Sequence, residues 1–175
     1  MRLDLRDIIH RPSATRQFEY ELDIHGVRYF GEQPFSRPVK VSGKVRNAAG
    51  VLELTATAET VLDVKCDRCL KPIEVPCQVP VETLLAEELE DEESDEIVLL
   101  DKGEVELDEL FTTACILALD SKHLCREDCK GLCPTCGKDL NEGPCSCGKE
   151  LDPRLAVLAK LLDKKEGSQD KDEEA

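Results

Sequence analysis

The sequence predicts an α+β protein: an antiparallel β-sheet domain of four to five strands, followed by a helix, a cysteine-rich knuckle and a C-terminal helix. Three observations support this fold class. Apolar and polar residues alternate through residues 16–85. Apolar residues recur at helical spacing after Asp108. Ten cysteines occur among 175 residues, six of them between Cys125 and Cys147. Aromatic residues make up only 3% of the chain, so the core must be mainly aliphatic.

The predicted strands carry apolar residues at every second position, the period of a half-buried strand. Residues 47–50 form a turn signal between two of these strands. Gly43 interrupts one strand and predicts a β-bulge. Pro72, Pro76 and Pro80 share one parity of the last long strand, which is typical of an edge strand with an unpaired side. The apolar positions are Phe18, Tyr20, Leu22, Ile24, Val39, Val41, Val45, Leu52, Leu54, Ala56, Ala58, Ile73, Val75, Cys77, Val79 and Val81.

Acidic residues are concentrated in two segments. The net charge of the chain is −15, yet residues 82–109 hold fourteen acids and one base, and residues 163–175 hold six acids and three bases. The rest of the chain is therefore close to neutral. A protein with this charge is not drawn to nucleic acid as a whole, so any contact with RNA needs a local basic face.

The C-terminal half contains two predicted helices and one short strand, at residues 97–100. Asp108 is the predicted N-cap of the first helix, which ends near Asp120. Asp152 and Pro153 are the predicted N-cap and first residue of the last helix. The chain thus divides into four parts: an antiparallel β domain with a central CxxC knuckle (1–85), an acidic flexible segment (86–105), a helix, knuckle and C-terminal helix (106–165), and a disordered acidic tail (166–175).

The strongest motif for metal binding is CPTCG at residues 133–137. Cys133 and Cys136 can chelate one ion from a tight turn, and Gly137 permits the backbone angle at its exit. Cys145 and Cys147 offer a second pair of thiolates. Four thiolates around Zn²⁺ form a closed tetrahedral site of the structural type. We therefore predict a zinc ion in this segment.

Two further cysteine pairs leave the ligand set open. Cys125 and Cys129 precede the strongest motif, so six cysteines compete for four places, and a compact site of Cys125, Cys129, Cys133 and Cys136 is an alternative. His123 lies nearby but is interpreted as a loop residue.

Cys66 and Cys69 lie at a turn between two predicted strands, which suits half a metal site better than a thioredoxin-type redox pair. Including them makes eight cysteines, enough for a second zinc ion. Lys65, Arg68 and Lys71 flank this turn and could contact phosphate, although an ordinary charged surface is the favoured interpretation. Cys77 and Cys115 fall on apolar faces and are interpreted as core residues.

These motifs together resemble the YceD-like family of large ribosomal RNA subunit accumulation proteins. The similar segments are LRDII at 5–9, VKCDRCLKP at 64–72, LCREDCKGLCPTCGKDLN at 124–141, CSC at 145–147 and DPRLA at 152–156. The resemblance implies a role in 23S ribosomal RNA accumulation and large-subunit assembly. It implies ribosomal RNA or a large-subunit ribosomal protein as the partner, and no enzymatic activity.

Several other functions are disfavoured or left open by the sequence. No catalytic constellation, small-molecule site, secretory signal or membrane-spanning stretch is predicted, so we expect a cytoplasmic protein with reduced thiols. One alternative is a zinc-dependent protein-interaction module without direct ribosomal contact. Another is a thiol redox sensor, which requires an exposed cysteine of low pKa.

Overall fold

The alternating apolar residues form a five-stranded sheet. The computed structural model describes residues 1–88 and 97–147. The chain divides into one unit from Met1 to Cys129 and another from Lys130 onward. The elements, all in the first unit, are β1 (Arg2–Asp4), α1 (Arg6–Ile9), β2 (Thr15–Leu22), β3 (Val39–Ala48), β4 (Val51–Lys65), β5 (Pro72–Ala86), β6 (Ile97–Leu99), β7 (Glu104–Glu106) and α2 (Leu107–Leu117).

Strands β2 to β6 lie in the sheet in sequence order. The antiparallel prediction is confirmed for β2, β3, β4 and β5. The sheet is mixed rather than wholly antiparallel, because its fifth strand, β6, pairs in parallel with the end of β5, where Leu84 lies opposite Ile97. This strand lies outside the 1–85 domain of that prediction. Parallel neighbours require a connection that returns along the sheet. Part of that connection, residues 89–96, lies outside the described residues.

Gly43 does not form a bulge. It pairs in regular register with Phe18 on one side and Ala56 on the other. A Cβ atom at Gly43 would lie 2.3 Å from the Cβ of Ala56, so the close approach of the two strands explains the glycine.

The prolines of β5 lie along an edge, as predicted. They pair with β4 on one side, while β6 contacts only the last three residues of β5, Leu84 to Ala86. Among the described residues, no strand covers the other side of β5 at these prolines. Because proline donates no backbone hydrogen bond, it is well suited to this edge.

The core is formed largely by aliphatic side chains between the sheet and α2. Phe111 of α2 is buried and lies 6.3 Å from Phe18, centroid to centroid. The helix begins two residues earlier than predicted, with Glu106 at the N-cap position. Asp108 is therefore not the cap but lies in the first turn, where its negative charge still favours the helix dipole.

Three short elements were not predicted. β1 and β7 form a small antiparallel sheet, and α1 follows β1 as a single short helix. Within the predicted acidic segment 86–105, the structure places β6 and the beginning of β7. The predicted C-terminal helix and the tail 166–175 lie outside the described residues. In the part of the chain that is described, no helix is long and apolar enough to cross a membrane.

Candidate metal centres

The first cysteine group consists of Cys66, Cys69, Cys125 and Cys129, whose sulfur atoms all lie within 4.8 Å of one another. The Sγ atoms of Cys66 and Cys129 are 3.8 Å apart, and those of Cys69 and Cys125 are 3.6 Å apart. These separations are too long for disulfide bonds. A tetrahedron of thiolates at about 2.3 Å from a zinc ion has edges of about 3.8 Å, so the spacing fits a metal site.

Two distant segments supply this first group. Cys66 and Cys69 lie at the turn between β4 and β5, where the backbone N–H of Cys66 donates to the carbonyl of Lys71 at 2.9 Å. Cys125 and Cys129 lie on the segment after α2, and the paired cysteines are separated by 56 and 63 residues along the chain. The site therefore depends on the tertiary fold.

Polar contacts hold the two segments together. The backbone N–H of Asp67 donates to the carbonyl of His123 at 2.9 Å, and the backbone N–H of His123 donates to the Asp67 carboxylate at 2.6 Å. The Arg68 guanidinium donates to the carbonyls of Cys129 at 2.7 Å and Glu127 at 3.2 Å. Such supporting contacts orient the ligands of a metal site and hold the sulfur atoms in position.

The second cysteine group consists of Cys133, Cys136, Cys145 and Cys147, again with all sulfur atoms within 4.8 Å of one another. This group is local, because all four residues belong to one short stretch of the second unit. Cys133 and Cys136 share a tight turn whose exit, Gly137, has a φ of +72°.

Backbone hydrogen bonds define the turn of the second group. The N–H of Cys133 donates to the carbonyl of Lys138 at 2.8 Å, and the N–H of Gly137 donates to the carbonyl of Cys133 at 2.9 Å. The Lys138 ammonium group donates to the carbonyl of Pro144 at 3.0 Å, next to the second pair of cysteines. These contacts bring the two pairs of the group together.

Within each group, the pKa of one cysteine is lowered and that of another is raised. A hydrogen bond from the backbone N–H of Cys125 lowers the pKa of Cys66, and one from the backbone N–H of Cys136 lowers the pKa of Cys133. Burial raises the pKa of Cys125, and the neighbouring Cys136 thiol raises the pKa of Cys147. Four thiolates so close together repel one another, and a divalent cation would offset that repulsion.

The predicted ligand sets can be compared with these two groups. The structure brings Cys133 and Cys136 together with Cys145 and Cys147, and it brings the central pair to Cys125 and Cys129. The compact alternative of residues 125, 129, 133 and 136 is not observed, because these four cysteines are split between the groups. Neither group includes His123. The sequence could not identify Cys125 and Cys129 as the partners of Cys66 and Cys69, because only the tertiary fold brings these two pairs together.

The basic residues at the β4–β5 turn are engaged within the protein. The Lys65 ammonium group pairs with the Glu32 carboxylate at 2.6 Å, and the Arg68 guanidinium donates to the carbonyls of Glu127 and Cys129. These cations are therefore not presented together for phosphate, and the ordinary-surface interpretation is favoured.

The two remaining cysteines pack in the interior. Cys115 of α2 is buried, and Cys77 of β5 is half-buried. Burial, together with the nearby Cys77, raises the pKa of Cys115 to about 11. Burial also raises the pKa of Cys77, with a smaller effect from Asp120. Both thiols are therefore neutral, as expected of core residues.

Comparison with other proteins identifies a family that this chain matches. Residues 54–162, a span that contains both cysteine groups, match the family described as "Large ribosomal RNA subunit accumulation protein YceD". No solved structure matches the chain.

Similar proteins occur in bacteria and in a plant. An uncharacterized protein of Mycobacterium tuberculosis is 28% identical over 170 residues, covering 93% of this chain and 81% of the relative. A maize protein is 30% identical over 178 residues, covering 83% of this chain and 60% of the relative. It is named "Large ribosomal RNA subunit accumulation protein YCED homolog 1, chloroplastic". With its family match extending over more than half of its length, the chain belongs to the YceD family of large ribosomal RNA subunit accumulation proteins.

Proposed function

We propose that this protein is a non-catalytic, cytoplasmic factor that supports the accumulation of 23S ribosomal RNA and the assembly of the large ribosomal subunit. The observation that carries this proposal is the family match over residues 54–162. The name of the maize relative supports the same role. Its partner is ribosomal RNA or a ribosomal protein of the large subunit, and neither a small-molecule substrate nor a membrane is involved.

We further propose that the protein binds two structural zinc ions, one in each cysteine group. Sulfur separations of 3.6 and 3.8 Å in the first group support a tetrahedral ion. Four thiolates favour Zn²⁺ among common cations and leave no open position for a catalytic water. The metal centres therefore serve the fold, and recognition of the partner lies elsewhere on the protein.

The two ions would stabilise different parts of the protein. The first joins the β4–β5 turn to the segment after α2 across 56 to 63 residues, so it closes a long loop. The second closes only a short stretch and orders the knuckle itself. Both contribute folding free energy, since a zinc site does not preexist in an unfolded chain.

Complementation tests the proposed role. In cells lacking the native protein, mature 23S ribosomal RNA should fall relative to 16S, and expression of this chain should restore the ratio. The protein should also sediment with precursors of the large subunit. Restoration without co-sedimentation would favour an interaction module that acts away from the ribosome, and a failure to restore the ratio would contradict the proposal.

A thiol redox sensor is the second candidate, because Cys125 and Cys136 are exposed within their groups. The two functions differ in the reactivity of the zinc-loaded protein. Structural sites should leave the eight ligand thiols unreactive towards a thiol reagent until a chelator is added. Rapid, reversible oxidation of the loaded protein at low peroxide concentration would favour the sensor.

A further inference from the structure

Residues 29–32 form a tight turn with an unusual residue in it. Tyr29 and Glu32 exchange two backbone hydrogen bonds, of 2.9 and 3.0 Å. The residues between them, Phe30 and Gly31, have φ values of +48° and +85°. Two-residue turns with both central residues in the left-handed region normally carry Asn, Asp or Gly. Glycine fits at the second position, but a bulky aromatic residue at the first is strained.

The side chain of Phe30 is not buried, so packing does not offset the strain in its backbone. Its side chain is 88% exposed, the largest value for a large hydrophobic residue in the described ranges. Its ring contacts the ring of Tyr29, with centroids 4.6 Å apart and an interplanar angle of 72°. Since an asparagine would suit this backbone better, the stability of the fold does not explain the phenylalanine.

The turn borders a groove of about 250 Å³ in the first unit. Tyr29 and Phe30 line it together with residues 119–121 and His123. Arg28 precedes this pair of aromatic residues, and Lys122 lies within the lining segment. Both cations are exposed, and neither forms an ion pair among residues 1–88 and 97–147.

The acids of the groove are mostly engaged. Glu32 is paired with Lys65, and the Asp67 carboxylate accepts a hydrogen bond from the backbone of His123. Asp120 adds one further carboxylate. The groove thus has an exposed aromatic ring at its border, and Arg28 and Lys122 adjoin its lining residues along the chain. Neither cation has an acidic partner within the described ranges.

We propose that Phe30 is a stacking platform for an unpaired base of ribosomal RNA, and that Arg28 and Lys122 contact the adjacent phosphates. This inference rests on the proposed function, which supplies RNA as the ligand. An aromatic ring flanked by cations is the usual arrangement for single-stranded nucleic acid, because every base has a face that can stack. An apolar pocket on a protein partner would need the ring but not the unpaired cations.

Binding of RNA to the zinc-loaded full chain tests the stacking role. The probe is a fluorescein-labelled single-stranded oligoribonucleotide of about twelve nucleotides, with the same sequence in duplex form for comparison. We expect Phe30→Asn to weaken single-strand binding roughly tenfold and Phe30→Tyr to leave it nearly unchanged. The melting temperature of Phe30→Asn should equal or exceed that of the wild type, because asparagine accepts the left-handed backbone.

Leu117→Asn is the matched control, since Leu117 is also highly exposed, at 80%, but lies on α2. It should not change RNA binding. Equal binding by the wild type and Phe30→Asn would overturn the inference, as would a preference of the wild type for the duplex.

The two cations give an independent readout. In Arg28→Gln with Lys122→Gln, the slope of log K against log salt should become shallower by about 1.4, since each lost contact to single-stranded RNA accounts for about 0.7. An unchanged slope would remove these residues from the proposed phosphate contacts.

A cellular experiment separates this inference from the proposed function. If the wild-type chain does not restore 23S ribosomal RNA in cells lacking the native protein, the proposed function fails. If the wild type and Phe30→Asn restore it equally, only the stacking inference fails. A photoreactive phenylalanine at position 30 should cross-link to RNA, and cross-linking to protein alone would overturn the inference in favour of a protein partner.

Discussion

At the scale of single residues, Arg68 has the clearest structural role. Its guanidinium donates to two carbonyls of the segment that carries Cys125 and Cys129, and so joins this segment to the β4–β5 turn. Arg68→Ala should lower the free energy of unfolding by about 1–2 kcal/mol, because two backbone carbonyls, one of them partly buried, lose a charged hydrogen-bond donor. Denaturant unfolding of the zinc-loaded protein measures this change.

The matched control is Arg28→Ala, which removes an exposed arginine without an ion pair in the described part of the chain. It should leave the free energy of unfolding within a few tenths of a kcal/mol of the wild type. An equal effect of both substitutions would mean that the contacts of Arg68 contribute nothing specific.

Gly43 provides a second test at this scale. Gly43→Ala would place a Cβ atom 2.3 Å from the Cβ of Ala56 and should destabilise the sheet by about 1–3 kcal/mol. Gly26→Ala is the control, since nothing lies within 4 Å of its added Cβ. Thermal unfolding measures the melting temperatures of both variants. Equal melting temperatures would show that β3 and β4 can move apart without a loss of stability.

At the scale of elements, the two cysteine groups should respond differently to loss of their ligands. Cys66→Ser with Cys69→Ser should release one zinc ion and increase hydrogen exchange at the adjoining ends of β4 and β5. Cys145→Ser with Cys147→Ser should also release one ion, but increased exchange should be confined to the second unit, because that group is local.

Hydrogen-exchange mass spectrometry with elemental analysis measures both variants. Increased exchange throughout the first unit after loss of Cys145 and Cys147 would contradict this division of roles. So would a first-group variant that retains two zinc ions per chain.

The long strands were predictable from the sequence because each repeats its apolar period several times. β4 alternates buried and exposed residues along nearly all of its fifteen positions. β1 and β7 have three residues each, too few for any period to be recognised. The direction of β6 could not be predicted either, because the alternation of apolar and polar residues does not distinguish parallel from antiparallel pairing.

The two cysteine groups were predictable in part for a similar reason. The local spacing of Cys133, Cys136, Cys145 and Cys147 identifies one group directly. The partners of Cys66 and Cys69 depend on the position of the segment after α2, which only the tertiary structure determines. Phe30 gave no sequence signal, since its importance lies in its backbone angle and exposure.

At the scale of the whole molecule, zinc should be part of the folding reaction. Protein purified without a chelator should contain two zinc ions per chain, and their removal should lower the melting temperature. Adding zinc back should restore it. Cys77→Ala is the control, because Cys77 belongs to neither group and this variant should keep both ions. Less than half an equivalent of zinc in the wild type would contradict the proposal.

The sequence separation within the first cysteine group also sets an order of events during synthesis. Cys66 and Cys69 leave the ribosome 56 to 63 residues before the cysteines that they meet. At about 5–20 residues per second, this delay lasts about 3–12 s. A nascent chain therefore carries an incomplete thiol pair for several seconds, open to oxidation or to a wrong metal, and the link that joins the β4–β5 turn to the segment after α2 is among the last to close.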